Sequence, residues 1–160
     1  MTTIKIHGWD KKVRTMIRFI KVGDIFLADL GNSLFAAGRI LSKLNIGHGV
    51  EFFNLVLHEP QISIEEIESA KRLCPPVIID SYWLFDRKID CDWRIIGHET
   101  GFSVRPESDV YFSYGGGRYW RVDIFGNEKE ISEREADNFP PYTPQACEQV
   151  KQWLVPLLLT

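Results

Sequence analysis

In the first third of the chain, short apolar segments alternate with glycine-containing turns, and this spacing limits the folds open to it. Residues 24–30 and 34–41 flank the tripeptide Gly31-Asn32-Ser33 and predict a β-hairpin. A second turn at Gly47-His48-Gly49 precedes residues 50–57, whose aromatic and β-branched side chains suit a pleated sheet. We therefore predict three consecutive antiparallel strands.

The apolar pattern then changes to helical spacing. Ser63 and Glu66 form a capping-box pair, and apolar residues recur at helical intervals as far as Cys74, before Pro75-Pro76 ends the segment. A second helix is predicted from a Thr143 cap, with Pro144 at its first position, to about Leu154. Another buried strand is predicted over residues 77–80 and 82–85, and further strands at residues 93–97, 110–113 and 119–124.

Together these elements predict a strand-rich α+β protein, with an antiparallel, strongly curved sheet or partly open barrel and two helices. The chain has 160 residues, 44% of them hydrophobic, which is enough to bury one compact core. We expect a single domain over residues 1–160, in which residues 1–19 form an N-terminal extension. The pattern in this extension fits both a helix and a strand.

Charge is distributed unevenly along the chain. Residues 1–22 carry six basic side chains and one acidic one, which leaves 13 basic and 21 acidic residues for the rest. The densest acidic stretch, residues 123–137, contains six acidic and two basic side chains. It is the expected source of a negative surface field.

The location expected from the sequence is the cytoplasm. Apolar runs such as residues 154–159 fall far short of the roughly 20 residues that span a bilayer. Scattered lysines and arginines interrupt the first thirty residues, so a secretory signal is not expected. The three cysteines, Cys74, Cys91 and Cys147, are odd in number and widely spaced, and we expect them to be free thiols that are mostly buried.

Residues suited to catalysis do not form a convincing constellation in the sequence, so we predict neither an enzyme nor a cofactor nor a metal site. His98-Glu99, with Cys91 upstream, offers acid and base groups, but isolated histidines are more often structural. Gly115-Gly116-Gly117 lacks the lysine and helix of a phosphate-binding loop and predicts a hairpin turn. The aspartates at positions 80, 86, 90 and 92 lack calcium-loop spacing.

Two pairs of adjacent aromatic residues are relevant to whether the protein has an exposed surface for binding a partner. In a strand, the rings of Phe52-Phe53 and Tyr82-Trp83 would point to opposite faces of the sheet. Coverage of both faces by helices is the commoner outcome. A ring left exposed among acidic residues would instead be a candidate hot spot for protein binding.

Several segments, taken in order and spacing, resemble one known family. They are residues 23–30 (GDIFLADL), residues 35–41 (FAAGRIL), Phe52-Phe53 and residues 93–97 (WRIIG). This arrangement resembles the immunity protein 26 family of bacterial polymorphic toxin and contact-dependent growth inhibition systems. The resemblance extends over residues 20–100 and more loosely over residues 119–137, and it leaves the first 19 residues outside.

The resemblance implies a small cytoplasmic protein that binds and neutralises the C-terminal domain of a cognate toxin, with no catalytic residues of its own. Many such toxin domains are basic nucleases, and an acidic surface can cover a basic cleft with fast electrostatic association. On that logic we predict the toxin-binding surface at Asp123, Glu128, Glu130, Glu133 and Glu135. A merely solvated face is the alternative interpretation of these five residues.

Two other functions are open at this stage. Residues 23–30 also resemble the first strand of small barrel endoribonucleases of toxin-antitoxin modules. The arginine-proline step expected on their next strand is replaced here by Gly38-Arg39-Ile40. A nucleic-acid-binding barrel that uses the basic residues 5–21 is the third hypothesis, although the acidic remainder of the chain argues against direct nucleic-acid binding.

Overall fold

The computed structural model describes residues 1–104 and 110–160, and it confirms the predicted fold class. The strands are β1 (Thr3–Ile6), β2 (Asp24–Asp29), β3 (Phe35–Leu44), β4 (Gly47–Phe52), β5 (Val77–Ile79), β6 (Asp92–Thr100), β7 (Tyr111–Gly116), β8 (Arg118–Asp123) and β9 (Glu128–Ile131). The helices are α1 (Ile64–Ser69), α2 (Glu133–Ala136) and α3 (Cys147–Leu158), with a 3-10 turn at Ile17–Phe19 and a π-helical turn at Tyr82–Asp86.

The strands form two antiparallel sheets. The larger has the order β1-β6-β2-β3-β4-β5, and the smaller has the order β7-β8-β9. No pairing joins β1 to β5 in the described part of the chain, so the larger sheet is open rather than a closed barrel. Register shifts after Ile25 in β2 and after Ile40 in β3 bend it, because a bulge increases the local twist of a strand.

The predicted hairpin and the strand that follows it are confirmed as β2, β3 and β4. Asn32 and Ser33 have φ of 55° and 58° in the hairpin turn, a conformation that asparagine tolerates better than most residues. The second turn is displaced, because the chain reverses at residues 45–46 and the predicted turn Gly47-His48-Gly49 lies inside β4. A Cβ on Gly49 would lie 2.5 Å from Ile124 Cδ1, so this glycine allows close packing rather than a turn.

Each face of the larger sheet is covered by its own hydrophobic core. On one face, Phe26 stacks on Trp93 with ring centroids 5.7 Å apart, and Phe52 meets Trp93 edge to face. Helix α3 covers this cluster with buried side chains, including Val150 and Leu154. These large rings exclude water from the centre of the sheet, and their edge-to-face contacts add to the energy of burial.

The opposite face packs against α1 and the segment that precedes it. Ile25, Leu27 and Phe53 meet Ile67 of α1 in this second core. The capping box that begins α1 is present as predicted, with Ser63 Oγ accepting from Glu66 N at 3.1 Å. Since both faces are covered, the adjacent rings of Phe52 and Phe53 are both buried.

The smaller sheet docks on one end of the larger one through a third cluster. Phe112 of β7 and the preceding Val110 pack against Leu44 and Ile78 of the larger sheet. The side chains of β9 and α2 are mostly exposed, whereas those of β8 are mostly half-buried. Helix α2 is a single turn that the sequence analysis did not predict, and Ser132 caps it.

The structure corrects three predicted elements. Residues 82–85 are not a strand: Leu84 and Phe85 are both buried and Tyr82 and Trp83 both exposed, which a strand cannot do, and Leu84 N donates to Asp80 O. Helix α1 ends at Ser69 rather than Cys74. Helix α3 begins at Cys147 rather than at Pro144, because Gln145 pairs with Ile79 in an extended bridge.

No helix within residues 1–104 and 110–160 is long and apolar enough to cross a bilayer.

Candidate functional site

The five acidic residues predicted to bind a partner lie on the smaller sheet and on the helix that follows it. We call Asp123, Glu128, Glu130, Glu133 and Glu135 the acidic face. Asp123 ends β8, Glu128 and Glu130 lie on β9, and the last two begin α2. The four glutamates are exposed, while Asp123 is partly buried.

Within the acidic face, the Asp123 carboxylate stabilises the turn that follows β8. Its Oδ1 accepts hydrogen bonds from Phe125 N and Asn127 N, both at 2.9 Å, and its Oδ2 accepts from Asn127 Nδ2 at 3.1 Å. These bonds close the turn between β8 and β9 and leave Phe125 45% exposed at its tip. Asp123 therefore stabilises the turn that carries this exposed aromatic ring.

The glutamates differ in how much of their charge is already paired. Glu130 accepts two hydrogen bonds from Arg118, at 2.8 and 3.0 Å, and this interaction lowers the pKa of its carboxyl. Glu128 accepts from the Tyr114 hydroxyl at 2.9 Å, which raises the pKa of that phenol. The side-chain carboxylate of Glu133 has no hydrogen-bonded or ionic partner among the described residues, so its full charge is available to another molecule.

A second group of charged residues, absent from the sequence analysis, lies inside the larger sheet. Arg39 of β3 donates to Glu51 of β4 at 2.9 Å and to Glu99 of β6 at 3.0 Å, and Glu51 also accepts from Arg72 at 3.0 Å. The Arg39 guanidinium lies over the rings of Phe53 and Phe102, 5.2 and 4.5 Å from their centroids. We call Arg39, Glu51, Glu99 and Arg72 the buried ion network.

The buried ion network borders a cavity of about 540 Å³ between β1 and α1. Arg39 and Glu99 line this cavity, together with Thr3 of β1 and Ile64 of α1. The side chains of Arg39 and Glu99 are only 14% and 9% exposed, so the network is held by the fold and pairs strands that are distant in sequence. A strand pattern could have revealed it, because Arg39 shares a face with Phe35 and Ala37 at alternate positions.

His98 and Glu99, which the sequence offered for acid-base chemistry, do not share a site. His98 Nδ1 lies 2.8 Å from Asp24 Oδ1, whereas Glu99 binds Arg39. Because His98 and Glu99 are neighbours in a strand, their side chains point to opposite faces of the sheet. They therefore cannot act together on one substrate.

Burial explains the state of the most enclosed histidine. His48 Nδ1 lies 2.6 Å from Ser81 Oγ, and desolvation, aided by Lys43, lowers the pKa of His48 to about 4. This histidine is neutral near pH 7 and belongs to the core. The structural interpretation of isolated histidines therefore fits His48.

The prediction of three free thiols is wrong for two of the cysteines. Cys91 and Cys147 form a disulfide with their Cα atoms 6.2 Å apart, and Cys74 is free. Cys91 precedes β6 and Cys147 is the first residue of α3, so only the packing of α3 on the sheet brings them together. Burial raises the pKa of the Cys74 thiol, which disfavours its reactive thiolate form.

Three of the four scattered aspartates make local structural contacts. Asp86 binds Arg14, which lowers the pKa of the aspartate, Asp92 binds Arg94, and Asp80 Oδ1 accepts from Trp83 N at 3.3 Å. Within the described ranges, no three His, Cys, Asp or Glu side chains are grouped to hold a metal ion.

An exposed aromatic pair forms a second surface suited to protein contact. Tyr82 and Trp83 are 40% and 45% exposed, with ring centroids 6.2 Å apart, and Ile89 nearby is 44% exposed. Exposed aromatic side chains are common anchors in protein interfaces. The candidate contact surfaces are therefore the acidic face and this aromatic pair.

Comparison with known proteins identifies the family. No curated protein and no solved structure shows significant similarity to the chain. The family model described as immunity protein 26 matches residues 21–118, which include β2 to β7 and the buried ion network, whereas the acidic face lies beyond residue 118. Because the match covers more than half of the 160 residues, the chain belongs to the immunity protein 26 family.

Proposed function

We propose that this protein acts in the cytoplasm, where it binds the C-terminal effector domain of a cognate toxin and neutralises it without catalysing a reaction. The toxin domain is a nuclease in this proposal, and binding covers its active site or its substrate-binding surface. Membership of the immunity protein 26 family is the observation that carries the proposal, since an immunity role requires a toxin as partner.

The contacts of the chemically versatile side chains support inhibition by binding. His98 is engaged by Asp24, Glu99 by Arg39, and Cys91 by Cys147. Catalysis needs such groups to converge on one reacting atom. Here each of them stabilises the fold instead, and the exposed groups remain for recognition.

The form of the acidic face supports a basic partner. Glu128, Glu130, Glu133 and Glu135 are exposed on β9 and α2, and Phe125 is exposed in the turn that precedes β9. Negative charge steers a basic nuclease cleft towards this surface, and an aromatic ring provides the apolar contact that most interfaces contain. The proposed toxin-binding surface is therefore the acidic face, with Phe125 at its edge.

The barrel endoribonuclease hypothesis has less support. The arginine-proline step of those enzymes is replaced by Gly38-Arg39, and Arg39 is committed to Glu51 and Glu99. An arginine in two buried ion pairs is not available to contact the phosphate of an RNA substrate.

The first experiment tests whether the protein protects cells. The C-terminal domain of the toxin encoded immediately upstream is expressed with and without this protein, and growth is followed. We expect restored growth and a stoichiometric complex by size-exclusion chromatography. Absence of both rescue and binding would contradict the proposed function. An active enzyme recovered from the complex after denaturation and refolding would show that inhibition is by binding rather than by covalent damage.

Reversal of charge on the acidic face tests where the toxin binds. The triple substitution Glu128→Lys, Glu130→Lys and Glu133→Lys is expected to slow association with the toxin at least tenfold at low salt, and to flatten its salt dependence, because long-range attraction is lost. Association rates measured by stopped-flow fluorescence at several salt concentrations check this result.

The matched control carries the same change of net charge elsewhere. Glu59, Glu65 and Glu68 are exposed glutamates around α1, and their substitution by lysine is expected to slow association much less. Equal effects of the two triple variants would indicate that only net charge matters. Unchanged kinetics in the first variant would exclude the acidic face and direct attention to Tyr82 and Trp83.

A further inference from the structure

Residues of β1 and of the segment 12–21 line a basic pocket, and no residue of the acidic face belongs to its lining. This pocket has a volume of about 290 Å³ and lies between β1, residues 12–21 and the strands β2 and β6. Lys5, Lys12, Lys21 and His98 are among the residues that line it. Its volume is at the lower end of the range for small-ligand sites.

The register of the sheet places charged groups in one row of this pocket. Lys5 of β1 lies directly opposite His98 of β6, and His98 lies opposite Asp24 of β2. Directly opposite residues project their side chains from the same face, with Cβ atoms about 5 Å apart. Lys5 and His98 are therefore neighbours across the floor of the pocket.

Both oxygens of Asp24 are already occupied. Asp24 Oδ1 lies 2.8 Å from His98 Nδ1, and Oδ2 accepts from Lys21 N at 2.8 Å. A carboxylate accepts hydrogen bonds, so His98 carries its proton on Nδ1 and presents Nε2 away from Asp24. Asp24 thus orients the imidazole and offsets one of the positive charges.

The lysine charges of the pocket are not compensated within the chain. Lys5, Lys12 and Lys21 make no ion pair with any residue in the described ranges. With Asp24 included, the four charged side chains that line the pocket leave a net charge of about +2. Such a concave, unbalanced positive site attracts anions.

A buried hydroxyl without a partner is the second observation. Thr15 lines the pocket and is only 3% exposed, and its Oγ1 has no hydrogen-bond partner. Leaving a buried hydroxyl unsatisfied costs about 1–3 kcal/mol, so an acceptor at this position would stabilise the protein.

Thr15 is held firmly in this place. Thr15 N donates to Phe85 O at 3.1 Å, and Ile17 N donates to Asp86 Oδ2 at 3.1 Å. Arg14 also binds Asp86, so its guanidinium is already engaged in an ion pair. The segment is therefore fixed against the π-helical turn, with Thr15 in the wall of the pocket.

We propose that this pocket binds a phosphate group, with Lys5, Lys12 and Lys21 neutralising its charge and the Thr15 hydroxyl donating a hydrogen bond. A phosphate monoester carries a charge of about −1.5 to −2 and three strong acceptor oxygens, which match the net charge and the donors present. The site is separate from the acidic face, and it gives the chain a ligand other than the toxin.

Titration with inorganic phosphate, followed by amide chemical shifts at constant ionic strength, tests the proposal. We expect saturable shifts at Thr15, Asp24 and His98. Thr15→Val removes the hydroxyl at nearly constant volume and should weaken binding about tenfold, as the loss of a hydrogen bond to a charged group predicts. Lys12→Gln should weaken binding several-fold and, since Lys12 is exposed, should leave the fold intact.

Lys11→Gln is the matched control, since Lys11 is exposed and adjacent but does not line the pocket. An effect of Lys11→Gln equal to that of Lys12→Gln would contradict the proposal, as would absent saturation or equally tight binding of acetate. Adenosine monophosphate distinguishes the sources of phosphate. Tighter binding than inorganic phosphate assigns the site to a nucleotide, and equal or weaker binding assigns it to free phosphate.

Discussion

Replacement of Arg39 by methionine is expected to lower the free energy of unfolding by about 3–5 kcal/mol, since it removes the cation that two buried carboxylates share. Glu51 and Glu99 are 10% and 9% exposed, so water compensates only in part for the lost guanidinium. Glu51 retains Arg72, whereas Glu99 loses its described ionic partner. Urea unfolding measures the effect as a lower midpoint at an unchanged slope.

An exposed pair of the same chemistry provides the control. Arg118 makes two hydrogen bonds to Glu130, but the two side chains are 72% and 48% exposed. Arg118→Met should therefore have a small effect, because solvent screens surface ion pairs. A loss for Arg39→Met as small as that for Arg118→Met would contradict the idea that burial makes the Arg39 pairs important.

Apolar replacement of Arg39 together with its two carboxylate partners separates the cost of an unpaired buried charge from the loss of the ion pairs themselves. In the variant Arg39→Met, Glu51→Leu and Glu99→Leu, no buried carboxylate remains unpaired. Such replacements are often neutral or stabilising because desolvation of the charges is no longer required. We expect this variant to recover most of the stability lost by Arg39→Met alone.

The hairpin and the capping box could be predicted from the sequence because local chemistry determines them. Asn32 and Ser33 adopt positive φ in the turn that their sequence predicts, and Ser63 and Glu66 lie three residues apart as the capping box requires. In each case the stabilising contact joins residues close in sequence. Such elements need no knowledge of the rest of the fold.

The predictions were wrong where one residue pattern is compatible with two different local structures. Glycine favours turns and also allows close packing, and Gly49 does the second beside Ile124. A short apolar run fits a strand or a buried helical turn, and at residues 82–86 the contact of Leu84 N with Asp80 O accompanies the turn. Thr143 and Pro144 are typical of a helix start, but tertiary pairing of Gln145 with Ile79 keeps that segment extended.

The candidate sites also differ in whether the sequence alone could predict them. The acidic face could be found by counting charges along residues 123–137, although its role in toxin binding stays a prediction. The buried ion network joins residues up to 60 positions apart, and the phosphate pocket joins Lys5 to His98 across paired strands. Residues this far apart in sequence leave no local pattern that would predict their contact. These sites are therefore visible only in the folded structure.

Reduction of the disulfide between Cys91 and Cys147 is expected to lower the free energy of unfolding by about 4 kcal/mol, since it frees a long loop in the unfolded chain. The two residues are 56 positions apart, and a crosslink over such a distance removes much conformational entropy from the unfolded state. It also ties the start of α3 to the segment before β6, next to the aromatic core. Thermal unfolding with and without a reductant measures the effect.

The free cysteine supplies the control for this experiment. The variant Cys91→Ala with Cys147→Ala should unfold at the lower temperature with or without reductant, whereas Cys74→Ala should keep the full response to reductant. Identical unfolding of the unmodified protein in both conditions would show that the two thiols are not joined in solution. The proposed cytoplasmic location makes the result informative, because reducing conditions there oppose disulfides. A protein that keeps its fold after reduction relies on the two aromatic and aliphatic cores, with both cysteines packed as small apolar side chains.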